Sequence, residues 1–162
     1  MARVVRGASL LFSGLFAGFL VCVLVLEVSL RSFGASVYTQ VRLVELDSLD
    51  KLASVTLIPA LVTTVALAIW GRGNNRRLVL VAIALLVVVF AVTFAVNLPI
   101  NSDQSSWVVQ QPPTDWAEVR DRWQIAHAVR TVAAVAAFGM LVGAAVRQRM
   151  PNRSVSKVWE TA

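Results

Sequence analysis

LVLVAIALLVVVFAVTFAVNLPI, residues 78–100, contains no charged side chain and only two polar ones, Thr93 and Asn97. A helix needs about 20 apolar residues to cross roughly 30 Å of hydrocarbon, so this run reads as a membrane span. Three similar runs accompany it: Ala8–Leu30, Leu52–Trp70 and Ala126–Val146. The chain is 57% hydrophobic and 15% charged, where a soluble domain carries about 25% charged residues. The first run is too long for a signal-peptide core and lacks a cleavage site, so it reads as a retained span. The expected fold is therefore an all-α, integral membrane four-helix bundle over residues 1–150. A polar cytoplasmic tail, residues 151–162, completes the chain.

Charge fixes the expected orientation. Arg3, Arg6, Arg72, Arg76, Arg77, Arg147, Arg149, Arg153 and Lys157 fall on one side of the four spans, against the single acid Glu160. The other side holds six basic residues and eight acids. Positive-inside logic places both termini in the cytoplasm of a plasma (inner) membrane. Insertion and contact with anionic lipids account for the net charge of +6, which excludes nucleic acid as the expected partner.

The connections differ in kind. GRGNNRR, residues 71–77, is a short turn with glycine and asparagine breakers, so spans two and three form a hairpin. SVYTQVRLVELDSLDK, residues 36–51, has no breaker and reads as a helix entering span two, with Ser36 as its N-cap. Asn101–Thr114, with three serines and Pro112-Pro113, reads as a loop. A helix restarts at Thr114 or Asp115, with Asp115 and Glu118 at capping-box spacing, and enters span four unbroken. Helices two and four should thus extend by about two to three turns on the outer side.

Charged groups inside spans cost about 2.5–3.5 kcal/mol each on insertion scales and usually face a bundle interior. Glu27 lies near the outer end of span one, and His127 and Arg130 near the start of span four. Trp116, Trp123 and Arg130 recur every seven residues, and His127 shares their helical face. Glu27 and Arg130 should form an ion pair, which lowers the cost of both. Asn97-Leu-Pro-Ile-Asn101 reads either as part of a polar site or as a helix stop at Pro99. Trp107, Trp116 and Trp123 also suit an interface belt, and His127 a hydrogen-bonded structural role. Cys22 reads as a small buried apolar residue. Gly14-x3-Gly18 and Gly139-x3-Gly143 suit close helix contact, within the bundle or in a homodimer. One histidine without a second ligand cluster gives no metal site. No phosphate loop, nucleophile elbow or dinucleotide fingerprint is present, so no cofactor is expected.

The segment Asn97-Leu-Pro-Ile-Asn101, Trp116, Arg122-Trp123 and His127-Ala-Val-Arg130 resembles the C-terminal half of the anthrone oxygenase-like family of small four-span membrane proteins. The resemblance implies oxygenation of a hydrophobic polyketide anthrone to an anthraquinone. Glu27 is no part of the family pattern. In this reading His127 is the general base and Arg130 stabilises an oxyanion. Asn97 and Asn101 orient substrate oxygens, Trp123 stacks on the ring, and Glu27 completes the polar pocket. The alternative is a non-catalytic bundle that binds a lipid or a membrane partner, with the same residues as structural glue.

The topology is directly testable. In a Cys22→Ser background, Ser105→Cys should be labelled from outside intact cells, and Asn74→Cys only after permeabilisation. The reverse pattern would overturn the assigned orientation.

Overall fold

A computed structural model describes residues 1–71 and 75–147; the expected tail 151–162 lies outside them. Four long helices are each long and apolar enough to cross a membrane. Helix α1 is Ala2–Ser29, closed by a 3-10 turn Leu30–Ser32. Helix α2 is Ala35–Trp70. Helix α3 spans Arg76–Gln104, and helix α4 is Trp116–Arg147. Their outward surfaces carry large apolar side chains such as Leu11, Val25, Ile58, Ile69, Phe94 and Val132. A water-facing bundle would bury such residues, whereas lipid is their natural solvent. The chain is an all-α multi-pass membrane protein.

Helix α1 sits against α2 and α4, and α4 also packs along α3. The seam between α2 and α3 is the least tightly closed of the four. In the half of the bundle nearest Ala2 and Arg147, α4 turns Ala133, Ala134, Ala137 and Ala144 inward. These small side chains let Phe16, Leu20, Leu67, Leu86 and Leu141 fill the space between helices. Two polar contacts tie this half together. Ser9 and Thr64 hydroxyls meet at 2.9 Å across α1 and α2. Asn75 donates from Nδ2 to the Ala144 carbonyl, fastening the α2–α3 turn to α4.

Several local expectations are corrected. Helix α2 does begin before the membrane span, but its N-cap is Gly34 rather than Ser36. The Asn97–Asn101 segment is no helix stop. The α-helix Arg76–Val92 passes through a π-helical turn, Thr93–Asn97, and resumes as Leu98–Gln104. Pro99 has no N–H to give the preceding turn, and the π-turn absorbs that defect without ending the helix. The loop therefore starts after Gln104 rather than at Asn101. Trp107 and Trp123 are buried and Trp116 is half-buried, so these rings pack inside the protein and are no interface belt. Cys22 is exposed on the outer, lipid-side surface of α1 rather than buried. A helix that is apolar on every side gives no hydrophobic periodicity from which to read that orientation.

Of the small-residue pairs, Gly14 makes an internal contact. A Cβ there would lie 3.1 Å from the Phe138 ring on α4, while Gly18 and Gly139 face open space. Gly14→Leu should therefore force α1 from α4 and lower thermal stability in mild detergent by about 1–3 kcal/mol, the usual cost of overpacking. Gly139→Leu should leave it unchanged. Equal melting temperatures for both variants would contradict this packing.

Candidate functional site

The end of the bundle away from Ala2 and Arg147 is polar inside. Arg42 and Glu45 lie three residues apart on α2, and Tyr38 lies one turn earlier on the same face. All three are buried. The Arg42 guanidinium donates from Nη1 to Glu45 Oε2 (2.6 Å), from Nε to Gln104 Oε1 (2.8 Å) and from Nη2 to Asn101 Oδ1 (2.6 Å). Glu27 Oε1 stands 3.6 Å from the same Nη1. The guanidinium carbon also lies 3.9 Å from the centre of the Trp123 ring, a cation–π contact. Trp123 in turn donates from Nε1 to Asn101 Oδ1 at 2.7 Å. One buried cation thus joins α1, α2, α3 and α4.

Glu27, fully buried, is held from a second side. Gln124 Nε2 donates to its carboxylate (2.8 Å) and to its backbone carbonyl (2.7 Å). Arg31 donates to Gln124 Oε1 and pairs with Asp121 nearer the surface. Gln104 Nε2 donates to the Tyr38 hydroxyl. Burial, with the Glu27 charge adding to it, pushes the Tyr38 phenol above its ordinary pKa, so it stays protonated. The ion pair expected between Glu27 and Arg130 is therefore replaced by Glu27 with Arg42. The physical reason is length: α2 continues past the span and carries Arg42 back over the end of α1.

His127 and Arg130 form their own unit. The imidazole stacks on Trp123 with ring centres 4.8 Å apart and planes 8° from parallel. His127 Nε2 faces the Leu20 carbonyl at 3.0 Å. A carbonyl only accepts, so Nε2 carries the proton and Nδ1 is the acceptor. Arg130 donates to that Nδ1 from both Nε (3.0 Å) and Nη2 (2.8 Å). Its Nη1 reaches Thr93 Oγ1 in the π-turn at 3.3 Å. Both imidazole nitrogens are engaged. In this geometry His127 holds Arg130 rather than offering a lone pair to a substrate.

A cavity of about 150 Å³ opens in the seam between α2 and α3. Its walls are apolar: Phe16, Leu57, Ile58, Phe90, Phe94 and Leu98. Thr93, Asn101 and Arg130 give it a polar end. A second, small cavity of about 20 Å³ lies next to it, lined in part by Arg42, Glu45, Trp123 and Arg130. Of the six residues expected to form the site, Asn101 and Arg130 line the large cavity and Trp123 the small one. Glu27, Asn97 and His127 stand behind them as buried supports. Asn97 Nδ2 makes a long bond to the Trp123 carbonyl (3.4 Å), and its Oδ1 is buried without a partner. The sequence reading missed Arg42, Glu45, Gln104 and Gln124. The available signal was Tyr38, Arg42 and Glu45 at helical spacing on a breaker-free helix leading into a span.

A model of the anthrone oxygenase family matches residues 49–140. No curated protein and no solved structure matches the chain. The matched segment contains Asn97, Asn101, Trp123, His127 and Arg130, while Glu27, Arg42 and Glu45 precede it.

The cluster predicts a strong coupling. Removing one partner of a buried ion pair costs about 3–5 kcal/mol, because the other charge is stranded. Glu27→Ala and Arg42→Ala should each lower thermal stability in detergent, and the double variant should lose much less than the sum. Additive losses would show that the two charges do not interact.

Proposed function

The chain belongs to the anthrone oxygenase family, and from that premise we propose that it oxygenates a hydrophobic aromatic substrate of the anthrone type, drawn from the lipid into the α2–α3 cavity. The observation that carries this reading is an apolar, membrane-level cavity ending on the Arg130 guanidinium. An anthrone is a fused aromatic ketone with an acidic methylene opposite its carbonyl. Loss of a methylene proton leaves the electron pair delocalised onto the carbonyl oxygen. The resulting enolate is rich enough in electrons to react with dioxygen. One oxygen atom becomes the new carbonyl, and the other leaves as water with the two methylene hydrogens.

The residues support each requirement. Phe16, Leu57, Phe90 and Phe94 surround the aromatic rings, and the carbonyl lies toward Arg130, Asn101 and Thr93. A fixed cation beside a developing oxyanion in a dry site is a strong source of transition-state stabilisation. His127 keeps the Arg130 guanidinium in place through two hydrogen bonds. An engineered apolar cavity of about 150 Å³ holds one benzene ring. The carbonyl end of the substrate enters, therefore, and the remaining rings lie between Ile58 and Phe94, both exposed at the lipid surface.

The test is oxygen uptake and quinone absorbance with anthrone, using the protein in lipid nanodiscs. Wild type should turn over. Arg130→Gln should lose about 10²–10³-fold in kcat, as for other lost oxyanion donors. Ile58→Trp, which fills the cavity mouth, should raise KM instead. If wild type neither binds nor oxidises anthrone, the oxygenase reading fails and the non-catalytic bundle takes its place.

A further inference from the structure

We propose that Glu27 and Glu45 together form a proton-binding site, in which one proton is held between the two carboxyl groups and ties α1 to α2 inside the bundle. The site is independent of the oxygenase reading, and both acids precede the segment that the family model matches.

The two acids come from different helices and converge. Glu27 on α1 is fully buried, and Glu45 on α2 is 4% exposed. Both turn toward one nitrogen, Arg42 Nη1, with Glu45 Oε2 at 2.6 Å and Glu27 Oε1 at 3.6 Å. Their carboxyl groups are also in hydrogen-bond contact with each other. An ionised carboxylate only accepts, so two of them offer each other no donor. The contact is a hydrogen bond when one of the two carries a proton.

The unpartnered oxygens point the same way. Glu27 Oε2 accepts from Gln124, and Glu45 Oε2 accepts from Arg42. The remaining oxygen of each acid, Oε1, is buried with no hydrogen-bond partner. A buried oxygen in that state calls for an explanation. The donors around the pair are already committed. Arg42 gives Nε to Gln104 and Nη2 to Asn101, and Gln124 Nε2 serves the Glu27 carboxylate and backbone carbonyl. One O–H between the acids supplies the missing donor from within the pair.

Charge sets the number of protons. Among the described residues, Arg42 is the one cation within ion-pair distance of either acid. Arg31 and Asp121, nearer the surface, pair with each other. The Arg42 guanidinium stays charged. With no proton, two negative charges would share a dry site against one positive charge, and like charges in such contact do not both persist. With two protons, Arg42 would be stranded without a counter-ion. One proton leaves one carboxylate against one guanidinium. It belongs to the pair rather than to either residue alone, and it rests toward Glu27, because Glu45 has the closer contact with Arg42.

Infrared spectroscopy counts the proton. Glutamate is labelled with a heavy carbon at Cδ in a chain carrying Glu118→Gln and Glu160→Gln, which leaves Glu27 and Glu45 as its only glutamates. Spectra are taken at neutral pH in a maltoside detergent, which has no carbonyl of its own. The carbonyl stretch of a protonated carboxylic acid should appear, move with the label and have the intensity of one acid per chain. Absence of a label-sensitive band would mean that both acids are ionised, and a band of twice that intensity that both are protonated. Either result overturns the proposal. Adding Glu27→Gln puts an amide N–H where the O–H stood. That variant should lose the band and keep the melting temperature of its parent. A band that persists, or a melting temperature that falls as far as in Glu27→Ala, would reject the shared proton. Should the Glu27→Gln chain fail to accumulate, the count in its parent decides.

Discussion

A guanidinium cannot be left unpaired inside a helix bundle, and Arg42 organises the polar half of this protein on that account. It keeps its charge at any physiological pH, so every donor must find an acceptor. The acceptors are Glu45 on α2 itself and Asn101 and Gln104 on α3, and Glu27 on α1 adds its carboxylate as an ion-pair partner at 3.6 Å. Trp123 on α4 supplies the ring face. Each of these side chains would be expensive in hydrocarbon alone. Together they pair through hydrogen bonds, ion pairs and a ring contact, which fixes the relative rotation of all four helices at one level.

That rotation depends on an irregularity in α3. A regular helix through Pro99 would lose a hydrogen bond and clash with the preceding turn. The π-turn Thr93–Asn97 inserts one extra residue per turn just before it. The inserted residue shifts the face that the following segment presents. Asn97, Asn101 and Gln104 then all point inward, and Thr93 meets Arg130. Turns of this kind are often found at functional sites. Here the same segment forms one wall of the large cavity.

Much of the fold was legible in the sequence because insertion into lipid imposes length and charge rules that composition alone reveals. The four spans, the early start of helix two and the long fourth helix all follow from them. The inward burial of Glu27, Asn97, Asn101, Trp123, His127 and Arg130 was also legible, since polar groups at that depth have nowhere else to go. Pairing was not. Glu27 was matched to the charge nearest in assumed depth, because Arg42 lies in a polar stretch that reads as exposed. Only the length of α2 returns it to the bundle. The lipid-side placement of Cys22 was hidden for a different reason: α1 is apolar on nearly every face.

The contrast between the two halves explains why a cavity forms where it does. Alanines on α4 let the helices close up on one side of the bundle. Toward the other end, α4 presents Trp123, His127 and Arg130, and α2 presents Tyr38, Arg42 and Glu45. Large, polar side chains committed to fixed partners cannot collapse to fill gaps as aliphatic ones do. The α2–α3 seam, already the loosest, stays open beside them. The rigidity that satisfies Arg42 is thus the same property that keeps a ring-sized space beside Arg130. Replacing the polar cluster with aliphatic residues of equal volume would ease burial of charge. It would also remove the fixed hydrogen bonds that hold the polar end of that space in shape.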